Sequence, residues 1–171
     1  MAGGVARRRR GRADERGAAA VEFALVVPIL LLLLFGIIDY GYMLSYRQGL
    51  SQGAAEGARK AAVSLTSTAN GTKITDAVNA VNDALSSYGV TCSAAPATTA
   101  STSASGSLVK SSTTVGTCTV AIAQCPKATA YKCATVTLDH AYKDHPLIPS
   151  VPGLGVVLPD SLKYAAVAEV S

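Results

Sequence analysis

Between Ala18 and Ile38 lie 21 residues whose only charge is Glu22, and from Phe23 to Ile38 only Pro28 and Gly36 interrupt an apolar run. At about 1.5 Å per residue, a helix of this length crosses a bilayer. No other feature constrains the chain as much, because it removes these residues from any soluble core. Arg7, Arg8, Arg9, Arg10, Arg12 and Arg16 all precede the run. Basic residues resist translocation, so this leader is expected to stay cytoplasmic and the C-terminal part to lie outside. The net charge of +4 rests on that leader, and the balance beyond residue 17 is near zero. A nucleic-acid partner is therefore not expected. A twin-arginine export signal is set aside because Gly11-Arg12-Ala13-Asp14-Glu15 separates the arginines from the apolar residues.

A cleaved secretory signal has a shorter apolar region, about 7 to 15 residues, ending at an Ala-x-Ala-like site. Here the run is longer and ends in Asp39-Tyr40-Gly41-Tyr42. Retention as an anchor is the expectation, and a secreted protein is the second alternative. Pro28 removes one backbone donor and is expected to kink the helix. Tyr40 and Tyr42 fit an aromatic belt at the outer surface, with Asp39 emerging into water. Glu22 is costly in hydrocarbon unless it finds a partner, which marks it as a functional residue. The bland reading is a boundary side chain that snorkels to the headgroups.

The stretches Arg16-Gly17-Ala18-Ala19-Ala20-Val21-Glu22-Phe23-Ala24-Leu25-Val26-Val27-Pro28, Phe35-Gly36-Ile37-Ile38-Asp39-Tyr40-Gly41 and Ala54-Ala55-Glu56-Gly57-Ala58-Arg59 resemble the TadE-like minor pilins, or pseudopilins, of the tight-adherence (Flp-type) pilus and secretion apparatus. The resemblance is specific over residues 14 to 63 and holds only in style toward the C-terminus. It implies a structural subunit of a pilus or secretion pseudopilus rather than an enzyme, with no cofactor. It also implies a prepilin peptidase that cuts between Gly17 and Ala18, making Glu22 the fifth mature residue and Phe23 its neighbour in the assembly segment. Its partners would be that peptidase, other pilin subunits, the inner-membrane assembly platform and membrane lipid. The new α-ammonium and Glu22 would lie four residues apart on one helical face. A neighbouring subunit's ammonium could then neutralise Glu22 and fix the axial register. The alternative is a bitopic anchored ectodomain with a binding role that never polymerises.

The expected fold is α+β: a leader (1–17), a transmembrane helix (18–38), a helical extension (39–65) and an extracytoplasmic domain (66–171). An apolar fraction of 49% with only 5% aromatics points to Ala, Val and Leu, which suit closely packed helices. Gly41, Ser45, Gly49, Gly53, Gly57 and Ala61 recur every four positions in the extension and form a small-residue ridge. Such a ridge lets a second helix approach closely, either from other subunits or from the protein's own ectodomain. Glu56 and Lys60 form a favourable i, i+4 pair.

Ile74, Val78, Val81 and Leu85 mark a second amphipathic helix over about Lys73 to Tyr88, after a turn at Asn70-Gly71. Residues 93 to 117 are rich in Ser, Thr and Ala and are expected to form a long mobile loop. Period-two patterns over Cys118–Ala123, Tyr131–Tyr142 and Leu162–Val170 predict a small antiparallel sheet, with Ala134, Val136 and Leu138 on one face. Pro146 to Pro159 reads as an extended connection. Cys92, Cys118, Cys125 and Cys133 all fall on the outer side, which favours disulfides. Of the three possible pairings, Cys92 with Cys118 and Cys125 with Cys133 is preferred. A zinc site would lack close Cys-x-x-Cys pairs.

Asp139-His140 and Asp144-His145 are the best metal or catalytic candidates, since imidazole and carboxylate together bind transition metals. On a strand, however, residues five apart face opposite ways. A polar strand end and turn is the preferred reading, and no metal is expected. No Gly-x-Ser-x-Gly elbow or Gly-rich phosphate cradle occurs.

Overall fold

A computed structural model describes residues 11–64, 68–126, 128–148 and 158–170, with the side chains of 11–16 excepted. Most of the leader and most of the Pro146–Pro159 connection lie outside the described residues, as do residues 65–67 of the interhelical link.

Helix α1 runs unbroken from Gly11 to Ala62, 52 residues, and continues through Pro28. That corresponds to about 78 Å of helix. Its two halves meet different surroundings. From Gly17 to Ile38 nearly every side chain is exposed, Phe23, Leu25, Ile29 and Ile37 included. From Asp39 onward one face is buried through Met43, Tyr46, Leu50, Ala54, Ala58 and Ala61. These recur at steps of three and four, the spacing that keeps one helical face on a core.

Helix α2 spans Asn70–Leu85 and buries Ile74, Ala77, Val78, Val81 and Leu85. Asn70 and Gly71 are its first two residues rather than a turn before it, and the helix gives way to a 3₁₀ turn at Ser86–Tyr88. The two helices pack on each other as a hairpin. Five strands follow in an antiparallel meander: β1 Val90–Cys92, β2 Ser103–Lys110, β3 Thr113–Cys125, β4 Ala128–His140 and β5 Leu162–Val170. The fold is α+β, and β4 buries Ala134, Val136 and Leu138 on the face assigned from the alternation.

The expected loop over 93–117 is corrected: Ser103–Lys110 and Thr113–Cys125 form a hairpin paired from Ser103↔Ala121 to Lys110↔Thr113, with one bulge between Leu108 and Val109. Its turn, Ser111-Ser112, has φ of 49° and 69° at its two residues. Two-residue hairpin turns of this kind usually carry Asn-Gly, because both residues need positive φ. Ser-Ser gives no such signal, and the Ser/Thr-rich strands hide their alternation.

Both disulfides follow the preferred pairing, Cys92–Cys118 and Cys125–Cys133. The first joins β1 to β3 across the intervening β2, where Gly106 is the register partner of Cys118. A Cβ on Gly106 would lie 2.4 Å from the Ala94 nitrogen, so only glycine lets the chain leaving Cys92 cross here. The second closes the β3–β4 hairpin.

Candidate membrane anchor and its junction with the head

The apolar part of α1 is long and apolar enough to act as a single-pass membrane anchor. Gly17, Ala18, Glu22 and Phe23 all lie exposed on this helix, with Phe23 at 70%. Glu22 and Ala18 are one turn apart on the same face. Leu32, Leu33, Gly36, Ile37, Tyr40 and Gly41 line a shallow apolar notch near the outer end of the segment.

The small-residue ridge divides at this boundary. A Cβ on Gly41 would meet nothing within 4 Å. At Gly49 it would lie 2.6 Å from the Tyr88 ring, and at Gly57 it would lie 2.8 Å from Val81 and 3.1 Å from the Ala77 carbonyl oxygen. Gly53 faces Ala84 at 3.5 Å, and Ala61 is fully buried. From Gly49 onward the ridge is therefore occupied by the chain's own α2 and the turn that follows it. Ser45 extends the contact through the Tyr88 hydroxyl, 2.9 Å away. On the outer faces Glu56 pairs with Arg59 at 2.8 Å, an i, i+3 partner one residue before the Lys60 expected.

Asp39 does not emerge into water. It is 7% exposed, and its Oδ1 is buried without a hydrogen-bond partner among the described residues. The Tyr142 hydroxyl is also buried and unpartnered there; it lies near the Leu147 backbone without hydrogen-bond geometry. Burial, reinforced by the Asp39 carboxylate, pushes the Tyr142 phenol up to about 12. Beside it Tyr46 stacks on Tyr142 and meets His140 and Tyr88 edge-on. Sequence periodicity missed this cluster. Asp39 at an apolar segment's end reads as an interface residue, and nothing local places Tyr142 beside it.

His140 belongs to the core. Its Nδ1 lies 2.7 Å from the Tyr46 hydroxyl, and its Nε2 lies 2.9 Å from the His145 carbonyl oxygen. A carbonyl only accepts, so Nε2 carries a proton, and burial favours the neutral ring, in which Nδ1 accepts from Tyr46. Burial holds the imidazole below its ordinary range, with the His145 carbonyl partly opposing the shift. Both ring nitrogens are thus used internally. Among the described residues no group of three or more His, Cys, Asp or Glu side chains is placed to hold a metal.

Comparison with known proteins bears on the anchor half. Residues 17–59 match the TadE family, described as TadE-like protein. No curated protein and no solved structure matches the chain. The match begins at Gly17 and ends at Arg59, covering the exposed apolar segment and most of the ridge that packs on α2. Residues 17–59, about a quarter of the chain, are thus similar to the TadE-like family, a likeness consistent with a TadE-like pilus-associated protein.

Proposed function

We infer that this protein is a structural minor pilin or pseudopilin, not an enzyme, and that a prepilin peptidase cleaves it between Gly17 and Ala18. The observation that carries the reading is the abrupt change along α1. Twenty-odd apolar residues of the family-matched segment are exposed, and a disulfide-stapled head begins at Asp39. An exposed helix of this kind needs lipid or other helices around it. The leader would stay cytoplasmic and the head would lie outside, consistent with the arginines ahead of the span and the cysteines beyond it.

Cleavage would leave an α-ammonium on Ala18 one turn from Glu22. A neighbouring subunit's ammonium could then pair with Glu22 and set the stagger of packed helices in a tight-adherence pilus or secretion pseudopilus. Glu22 acts in this reading as a register lock. Other pilin subunits and the inner-membrane assembly platform would be the partners.

The test is intact mass and N-terminal sequencing of the protein from membranes of cells with and without a prepilin peptidase. A peptidase-dependent start at Ala18 is expected. A start at residue 1 or 2 in both strains would leave a simple bitopic anchor, and a start beyond Ile38 would mean a secreted protein.

A further inference from the structure

The two edges of the sheet are finished differently. At β1 the outward-pointing backbone of Cys92 is capped by a side chain of α2: its N–H donates to Asn82 Oδ1 at 2.6 Å, and Asn82 Nδ2 donates to its carbonyl oxygen at 3.2 Å. An amide that bonds both groups stands in for a neighbouring strand and closes that edge. At the other side β5 pairs with β4 alone, and no strand covers its outer edge among the described residues. This edge is nine residues long, and its middle, Ala165-Ala166-Val167-Ala168, is small and apolar. Val167 is 51% exposed on the outer face, while Tyr164, Ala166, Ala168 and Val170 are half-buried on the core face. A long apolar edge with unpaired backbone groups is a template for another strand.

The charges on β5 identify which strand. Lys163 and Glu169 stand three residues either side of Ala166. When β5 is laid antiparallel on a second β5 about Ala166, Lys163 of each copy falls opposite Glu169 of the other. Leu162 then meets Val170, Tyr164 meets Ala168, and Ala165 meets Val167. Residues of like parity meet, so the outward N–H and C=O groups oppose one another and both faces stay in phase. Glu169 has no ion pair among the described residues, while Lys163 only skirts Asp139 at 3.5 Å.

We propose that β5 is a homotypic docking edge: a second copy of this chain adds to it antiparallel about Ala166, held in register by reciprocal Lys163–Glu169 pairs. The orientation has a consequence. Tyr46 lies level with His140, and Gly57 lies level with Val136. Their β5 partners are Leu162 and Ala166, so β5 climbs away from the membrane alongside α1. Antiparallel pairing turns one copy's α1 against the other's. The contact therefore joins heads that face each other from separate membranes or filaments, and is distinct from side-by-side packing within one membrane.

The experiment uses the full chain in detergent micelles, which impose no common orientation, with self-association followed by sedimentation over a range of concentrations. Lys163→Glu and Glu169→Lys each replace two attractive pairs by two repulsive ones and should weaken association by about tenfold. The double variant K163E/E169K should restore it. Ala166→Cys, on the two-fold axis, should cross-link to itself under mild oxidation, with circular dichroism and melting reporting that every variant is folded. A monomer at all concentrations, or association that the single variants leave unchanged, overturns the proposal. So does a double variant no better than the singles. None of these outcomes depends on whether the leader is processed, so failure here leaves the pilin reading to its own test.

Discussion

The Tyr46 hydroxyl donates to Nδ1 of His140 at 2.7 Å, joining α1 to the end of β4 across 94 residues of sequence. The His140 Nε2–H then holds the His145 carbonyl at 2.9 Å, which fixes the turn that follows β4. One imidazole thus ties together the emerging helix, the sheet and the membrane-proximal loop. Tyr46→Phe keeps the ring packing but leaves a buried acceptor unpaired, which costs about 1–3 kcal/mol. The expected outcome is a lower melting temperature with an unchanged far-ultraviolet spectrum. An unaltered melting temperature would show that the bond carries no net stability.

The same imidazole gives a pH dependence with a definite sign. Burial lowers its pKa in the folded state, so between the folded value and the ordinary value near 6.5 the unfolded chain binds more protons. The stability from keeping His140 neutral is fully present above pH 6.5 and is lost as pH falls from there through the folded value. The chain has only two histidines, so nuclear magnetic resonance titration can follow each. The His140 signals should titrate below 6.5, and a His140 midpoint at or above 6.5 would contradict the geometry.

Glycines of one ridge should respond oppositely to the same substitution. Gly57→Ala places a methyl 2.8 Å from Val81 and should lower the head's stability by about 1–3 kcal/mol through overpacking. Gly41→Ala meets nothing and should gain the helix up to about 1 kcal/mol. Chemical denaturation of both variants separates the packed part of the ridge from the open part.

The turn between β2 and β3 stores a correctable cost. Ser112 holds φ of 69°, a region where L side chains other than Asn and Asp are disfavoured. Ser112→Gly should stabilise the head by roughly 0.5–1 kcal/mol, and Ser111→Asn with it should complete the favoured Asn-Gly turn. Destabilisation on urea denaturation would mean that the serine side chains hold the turn in a way backbone conformation alone does not explain.

The two disulfides should contribute unequally. Loop-closure entropy assigns about 3.5 kcal/mol to Cys92–Cys118, whose sequence separation is 26, and about 2.5 kcal/mol to Cys125–Cys133, whose separation is 8. Replacing each pair by serine or alanine and measuring thermal unfolding should give the larger loss at the first bridge. That bridge also holds β1 to the rest of the sheet.

What the sequence determined by itself is whatever local periodicity can express. The long apolar stretch defines the anchor, the three-and-four spacing from Ile74 to Leu85 defines α2, and the alternation from Ala134 to Leu138 defines the buried face of β4. Each is a property of neighbouring residues along one element, so each survives without knowledge of the fold. The β2–β3 hairpin was illegible because Ser, Thr and Gly dominate its strands and Ser-Ser takes the place of a turn signal. Contacts made far along the chain could only be decided in three dimensions. Whether Gly49 and Gly57 face α2 or another molecule depends on where the 3₁₀ turn places Tyr88 and where α2 places Val81. Asp39 sits at the end of an apolar run, and only the return of the chain at Tyr142 buries it. Likewise, His140 reads as a possible ligand in isolation. It becomes a core residue because Tyr46 and the His145 carbonyl, brought in by other parts of the fold, use both of its nitrogens.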